Sequence, residues 1–176
     1  MQYEFDRVSI RMVKDPPLLS DKPIRRPDDA IDLINEFLHD FDRELMIVVN
    51  LKNDGTPINM NVMSVGSLGG TVSQPREALK ASILSNAAKA ILFHNHPSGS
   101  LRPSKEDIAT TDRMIRSYEM LGICLVDHII VGEGGKFYSM LADGIFRVPS
   151  TEYCRAVGDL GFPMRGRSGR DRGEER

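Results

Sequence analysis

Residues 93 to 107 read FHNHPSGSLRPSKED and contain two of the chain's four histidines, two positions apart. Ser104 and Asp107 follow across a Gly/Ser/Pro loop. His94 and His96 close a strand-like run, KAILFHNH. Side chains two apart on a strand share a face, with Cα atoms ~6–7 Å apart, which suits two imidazoles converging on one ion. Asp107 lies three residues past Ser104, where a helix should begin, and would project from its first turn. Strand end, loop and helix start can fold back so that all three groups face one point. Two histidines, one carboxylate and an open position form the ligand set of a catalytic zinc site. Water takes the open position, zinc lowers its pKa towards ~7, and a carboxylate base accepts its proton.

A plainer account exists for each piece. A His-x-His pair alone does not define a site. Ser-x-x-Asp ahead of an apolar-periodic run is a capping box, with Ser104 as N-cap and Asp107 at the third position. Both accounts can hold together, because a capped helix would keep the loop rigid. Asp127 and His128 lie in an apolar strand, LVDHIIVG. His128 reads as a supporting or core residue, with Asp127 orienting one of the site's groups. His39, at the end of the first helical segment, reads as a surface residue.

The elements that must position these residues follow from periodicity. PDDAIDLINEFLHDF has Ala30, Ile34, Phe37, Leu38 and Phe41 at helical spacing, with Asp28 or Asp29 placed to cap it. ELMIVVNL is a buried strand, NDG a turn, and TPINMNVM a second strand paired with the first. PREALKASILSNAA reads as a helix with Pro75 near its start, after a glycine-rich connection, SVGSLGGTVSQP. SKEDIATTDRMIRSYEMLG is a helix with Ile108, Thr111, Ile115 and Tyr118 along one stripe and Gly122 at its end. ICLVDHIIVG and KFYSM are strands joined by a GEGG turn. The expectation is an α/β or α+β domain with one mixed sheet flanked by helices. Residues 1–27 form a Pro-rich N-terminal arm holding one strand-like piece, RVSIRMV. Residues 28–148 form the domain, and 149–176 a charged, Gly-rich tail expected to be disordered.

Composition bounds the function. The 176 residues suit one domain plus tails, with 40% hydrophobic and 27% charged residues. A net charge of −2 supplies no global basic field to hold nucleic acid. Cys124 and Cys154 have no motif spacing, which argues against a disulfide framework or a Cys-based zinc site and fits a reducing cytosol. No apolar run approaches the ~20 residues of a membrane span, and MQYEFDRVSIRM lacks the apolar core of a signal peptide. A soluble cytoplasmic protein is expected.

The whole string, His-x-His, seven residues, Ser, two residues, Asp, matches the JAMM (MPN/JAB) metalloprotease motif at His94, His96, Ser104 and Asp107. HNHPSGSLRPSKED looks most like the bacterial RadC-like JAB domain, and the flanks SQPREALKASILSNAAKAILFHNHPSG and LGICLVDHIIVG resemble that family too. The resemblance covers roughly residues 25 to 145. It implies the three-layer, cytidine-deaminase-like JAB/MPN architecture. It implies one Zn²⁺ per chain held by His94, His96 and Asp107, with Ser104 donating to the oxyanion. It also implies an upstream glutamate just before the first core strand, which is Glu44 in DRELMIVVNL. Without the resemblance Glu44 would read as a solvated charge at a strand start. The rival acid, Glu77, reads as a dipole complement in the next helix's first turn.

The resemblance implies a zinc-dependent metallohydrolase, a peptidase or isopeptidase acting on a protein or peptide substrate. Asn95 stands between the histidines where many deubiquitinating relatives have Ser or Thr, which puts ubiquitin-type specificity in doubt. The alternative is a DNA-repair accessory or nucleic-acid-associated module that uses the JAB fold as a scaffold. The charge argues against it, and residues 1–27 are too short and Pro-rich for the helix-hairpin-helix-like segment of long RadC proteins. A third reading, a catalytically silent structural zinc domain, conflicts with intact Glu44 and Ser104.

Overall fold

The computed structural model describes Met12, Asp15, residues 22–38, 43–66, 74–96 and 98–148, and Cys154. Except for Met12, the RVSIRMV strand expected in the arm lies outside them, as do His39, Phe41, residues 67–73 of the glycine-rich connection and, except for Cys154, the tail from 149 on.

Among the described residues there are three helices and five strands: α1 (Pro27–Leu38), β1 (Leu45–Leu51), β2 (Pro57–Val65), α2 (Pro75–Leu84), β3 (Lys89–Asn95), α3 (Lys105–Met120), β4 (Cys124–Val131), a 3₁₀ turn (Glu133–Gly135) and β5 (Phe137–Ser139). The sheet order is β2-β1-β3-β4-β5. β1 is antiparallel to both β2 and β3, β3 is parallel to β4, and β5 returns antiparallel to β4. This is the mixed sheet expected from the alternation.

β1 is buried along its whole length because both sheet faces are covered. Ile47 and Val49 face Ala30, Ile31, Ile34 and Leu38 of α1. Met46 and Val48 face the other way, towards Ala78 of α2 and Met114 and Tyr118 of α3. The result is three layers, with α1 on one side and α2 and α3 on the other. Ile24, in the segment read as an arm, is buried against α1, and its N–H donates to Gly55 O at 2.9 Å. In α3 the buried stripe is Asp107, Thr111, Met114 and Tyr118. Ile108, expected on that stripe, is 41% exposed. Among the described residues no helix is long and apolar enough to cross a membrane.

Two features of β3 and β4 set up the site. First, parallel strands need a crossover, and here α3 is that crossover. The C-terminal end of β3 and the N-terminal turn of α3 are therefore brought to the same edge of the sheet. Second, β4 carries a bulge. Ala90 pairs with Leu125, Ile91 with Asp127 and Leu92 with His128, so Val126 is the extra residue. Leu125 and His128 are three apart and would face opposite sides of a regular strand. The bulge resets the alternation, and His128 points with Leu92 towards α3.

The cysteines correct the expectation from spacing. Cys124 and Cys154 form a disulfide, 30 residues apart. Cys124 opens β4 on the α1 side, and the segment after β5 returns across that face, burying Met140, Leu141, Phe146, Val148 and Cys154 in the same cluster. No local motif encodes a contact made by such a return.

Asp127 anchors that return. Its Oδ1 accepts from the N–H groups of His128 at 2.7 Å and Leu141 at 3.0 Å, and its Oδ2 accepts from the Ser139 hydroxyl. Burial pushes the carboxyl up to about 7 against those hydrogen bonds. A carboxyl raised in the folded state stabilises fully below its unfolded pKa near 3.9, and that contribution falls as pH rises towards 7. Asn at this position mimics the protonated acid, with its amide donating to Ser139. Asp127→Asn should therefore gain stability over wild type at pH 8, by an amount that shrinks towards pH 5. Parallel urea titrations of the two proteins across that range check it.

Candidate metal centre

The period-two alternation of β3 places Leu92, His94 and His96 on the α2/α3 side of the sheet. His94 is fully buried and His96 half-buried. Asp107 reaches them from the first turn of α3, where Ser104 is the N-cap in extended backbone conformation. The capping box is complete. Ser104 Oγ accepts from Asp107 N–H at 3.0 Å, and Asp107 Oδ2 accepts from Ser104 N–H at 2.7 Å. Ser104 Oγ–H also donates to Oδ2 at 2.6 Å. One carboxylate oxygen is thus spent on the cap. The other, Oδ1, stands 3.4 Å from His94 Nε2, and Oδ2 stands 3.4 Å from His96 Nε2. The three expected ligand residues are brought together, with their ligand atoms all within 4.8 Å of one another.

The hydrogen positions follow from the partners. Thr111 Oγ1 donates to the Asp107 carbonyl at 2.7 Å, since a carbonyl can only accept. His128 Nδ1, 2.6 Å from Thr111 Oγ1, must then be the donor to it. Burial holds the His128 pKa well below its ordinary value, so the ring is neutral and its Nε2 is bare. His94 Nδ1, 2.8 Å from that nitrogen, donates to it, leaving His94 Nε2 bare. His96 Nδ1 donates to the Ser100 carbonyl at 2.7 Å, leaving His96 Nε2 bare. Two nitrogen lone pairs therefore meet at 2.9 Å beside a carboxylate. Such a cluster could hold a metal ion at its centre. Tetrahedral zinc with Zn–N of ~2.0–2.1 Å separates its ligand atoms by roughly 3.3 Å, close to these spacings. The donor set fits a divalent ion.

Burial would raise the Asp107 pKa, but its contacts with the His94 and His96 rings outweigh that and hold the carboxyl well below the usual carboxylate range. The Asp107 carboxylate beside it raises the His96 pKa against the ring's own burial, and the charge of Glu44 adds to that.

Glu44 sits immediately before β1 and is half-buried. The β1–β3 pairing ends at Met46 and His94, two residues from Glu44, and the charge of Glu44 acts on His96. Gly66 N–H donates to Glu44 O at 2.7 Å. Glu77, by contrast, lies in the first turn of α2 in an ion pair with Lys80. His128 supports His94 without being among the grouped ligands. Asp127 points away from the centre and holds the β4–β5 return. The fourfold relay from Asp107 O through Thr111 and His128 to His94 was not legible in the sequence. Thr111 offered only a helical stripe position, and the strand bulge hides which way His128 faces.

Residues 24–145 match the family model described as the RadC-like JAB domain. The chain is 42% identical over 122 residues to a UPF0758 protein of Desulforamulus reducens, covering 69% of this chain and 53% of that one. It is 41% identical over 111 residues to a UPF0758 protein of Clostridium acetobutylicum, covering 63% and 48%. It is 36% identical over 121 residues to one of the archaeon Methanosarcina barkeri, covering 69% and 52%. The chain spans about half the length of the curated relatives it matches. With the mixed three-layer sheet and the His-His-Asp centre beside these matches, the chain belongs to the RadC-like JAB domain family.

Proposed function

We propose that this protein is a zinc-dependent hydrolase that cleaves an amide bond in a protein or peptide. The observation that carries the reading is the pair of bare imidazole nitrogens facing Asp107 at the sheet edge. His94, His96 and Asp107 would hold the zinc, which would supply an acidified water and Lewis-acid polarisation of a carbonyl. Glu44 takes the proton of the attacking water and passes it to the leaving amine. Its place just before β1, where its charge acts on His96, supports that role. Ser104 donates its hydroxyl proton to the carbonyl oxygen as negative charge develops. That proton is held by Asp107 Oδ2 before substrate arrives. A turn about Cβ–Oγ redirects it without moving the cap, because Ser104 N–H keeps its bond to Oδ2.

A role beside DNA is the second reading, favoured only by membership of the RadC-like family. The net charge of −2 supplies no general attraction for phosphate.

Asp107→Asn should keep α3 capped, since Ser104 stays the N-cap and the new amide oxygen can still accept from Ser104 N–H, yet lose the metal. Its amide group would present N–H to lone pairs where an anion is needed. Thermal unfolding and elemental analysis, run together, separate the two effects. If melting drops and zinc content does not, Asp107 is a cap alone. Thr111→Val removes the acceptor that fixes the His128 ring, and should weaken zinc binding by about 10–100-fold. Competition against a chromogenic chelator reads that change. Glu44→Gln should retain about one zinc per chain and lose hydrolysis of trapped substrates by orders of magnitude. Glu77→Gln should shift stability by only ~0.3–1 kcal/mol and leave turnover nearly untouched.

A further inference from the structure

Asn95 stands between the two histidine ligands, with its side chain turned onto the neighbouring strand. Its Oδ1 accepts from the Leu45 N–H at 2.8 Å, and its Nδ2 donates to the Arg43 carbonyl at 3.1 Å. Arg43 and Leu45 are the two neighbours of Glu44. The paired residues of the β1–β3 ladder end at Met46 and His94. Asn95 therefore takes over where the backbone ladder stops, and its side-chain amide stands in for one more peptide of a partner strand. On the β2 side Gly66 N–H holds the Glu44 carbonyl at 2.7 Å. The backbone around Glu44 is thus clamped from both neighbouring strands at the point where β1 would otherwise fray.

We propose that Asn95 is a positioning residue that fixes Glu44 against the metal centre. The inference rests on Glu44 being the base. A base must come within ~2.6–3.2 Å of the proton it takes, and a strand end held on one side alone would not keep a carboxylate to that tolerance. The residue type follows from the task. The clamp needs an acceptor and a donor in one planar group, wide enough to bridge the carbonyl before Glu44 and the N–H after it. Aspartate lacks the donor, and serine has one short arm for both. Because Asn95 is covalently bracketed by the ligands, the tripeptide His94-Asn95-His96 sets the ligand pair and the base as one rigid unit.

The test uses the full chain labelled with [δ-¹³C]glutamate and loaded with Co²⁺ as a paramagnetic probe, with the Glu44 signal assigned by its loss in Glu44→Gln. In wild type the Glu44 carboxyl resonance should be strongly broadened by Co²⁺. In Asn95→Ala the Leu45 amide should exchange about fivefold to tenfold faster in metal-free protein, Co²⁺ stoichiometry should stay unchanged, and the Glu44 broadening should fall several-fold. Asn95→Asp keeps the acceptor and loses the donor. It should leave Leu45 protected while still relaxing the Glu44 broadening, and it decides the matter if the alanine variant does not fold. Full wild-type broadening of Glu44 in both variants would overturn the role of Asn95 and leave the base assignment standing. A wild-type Glu44 resonance that Co²⁺ does not broaden would overturn both.

Discussion

Two imidazole nitrogens cannot face each other and a carboxylate unless something positive lies between them, and this constraint organises the domain. The relay that creates it begins at a backbone carbonyl in α3 and runs through Thr111 and His128 to His94. The Ser100 carbonyl does the same for His96. Each ring is committed on its inner nitrogen, so each outer nitrogen is free to ligate. The cost of burying these polar groups is met within the relay, because every donor has an acceptor. Without a metal ion these outer nitrogens can take up a proton instead, so metal binding, protonation and folding of this edge are thermodynamically linked.

Much of the site was legible because it is local. His94 and His96 share a face by the two-residue period of a strand, and Asp107 follows from a capping box that the structure completes. The sheet class was legible from the alternation of apolar runs and helical stripes. What was hidden depends on contacts between distant segments. Glu44 carries no local signal, since a charge at a strand start is commonplace, and only the family resemblance pointed to it. His128 could not be oriented because the bulge at Val126 reverses its face. The Cys124–Cys154 bridge joins a strand start to a returning segment, and the residues between them carry no trace of it. Ile108 was placed on the buried stripe by counting apolar residues. The buried stripe keeps Thr111 and Tyr118, as expected, but takes in polar Asp107, which serves the site.

The same residues serve stability and chemistry without division of labour. Asp107 spends one oxygen on the helix and presents the other to the centre. Thr111 closes a turn of α3 through the Asp107 carbonyl and fixes a histidine ring. Away from this edge the polar interior is separate. Asn50, Ser82 and Tyr118 form a buried network between β1, α2 and α3, with Ser82 Oγ 2.6 Å from Asn50 Oδ1 and 2.9 Å from the Tyr118 hydroxyl. It locks the α2/α3 layer to the sheet and shares no hydrogen bond with the ligands.

The bulge at Val126 bears on how such a sequence can change over time. Strand facing has only two values, so a residue gained or lost between Leu125 and His128 does not weaken the relay by degrees. It swaps the histidine to the α1 side, where Val126 and Phe93 pack against aliphatic neighbours. Point substitutions can drift through β4 in small steps, but length changes there meet a cliff. The number of residues in this stretch is therefore as much a part of the centre's specification as the histidines.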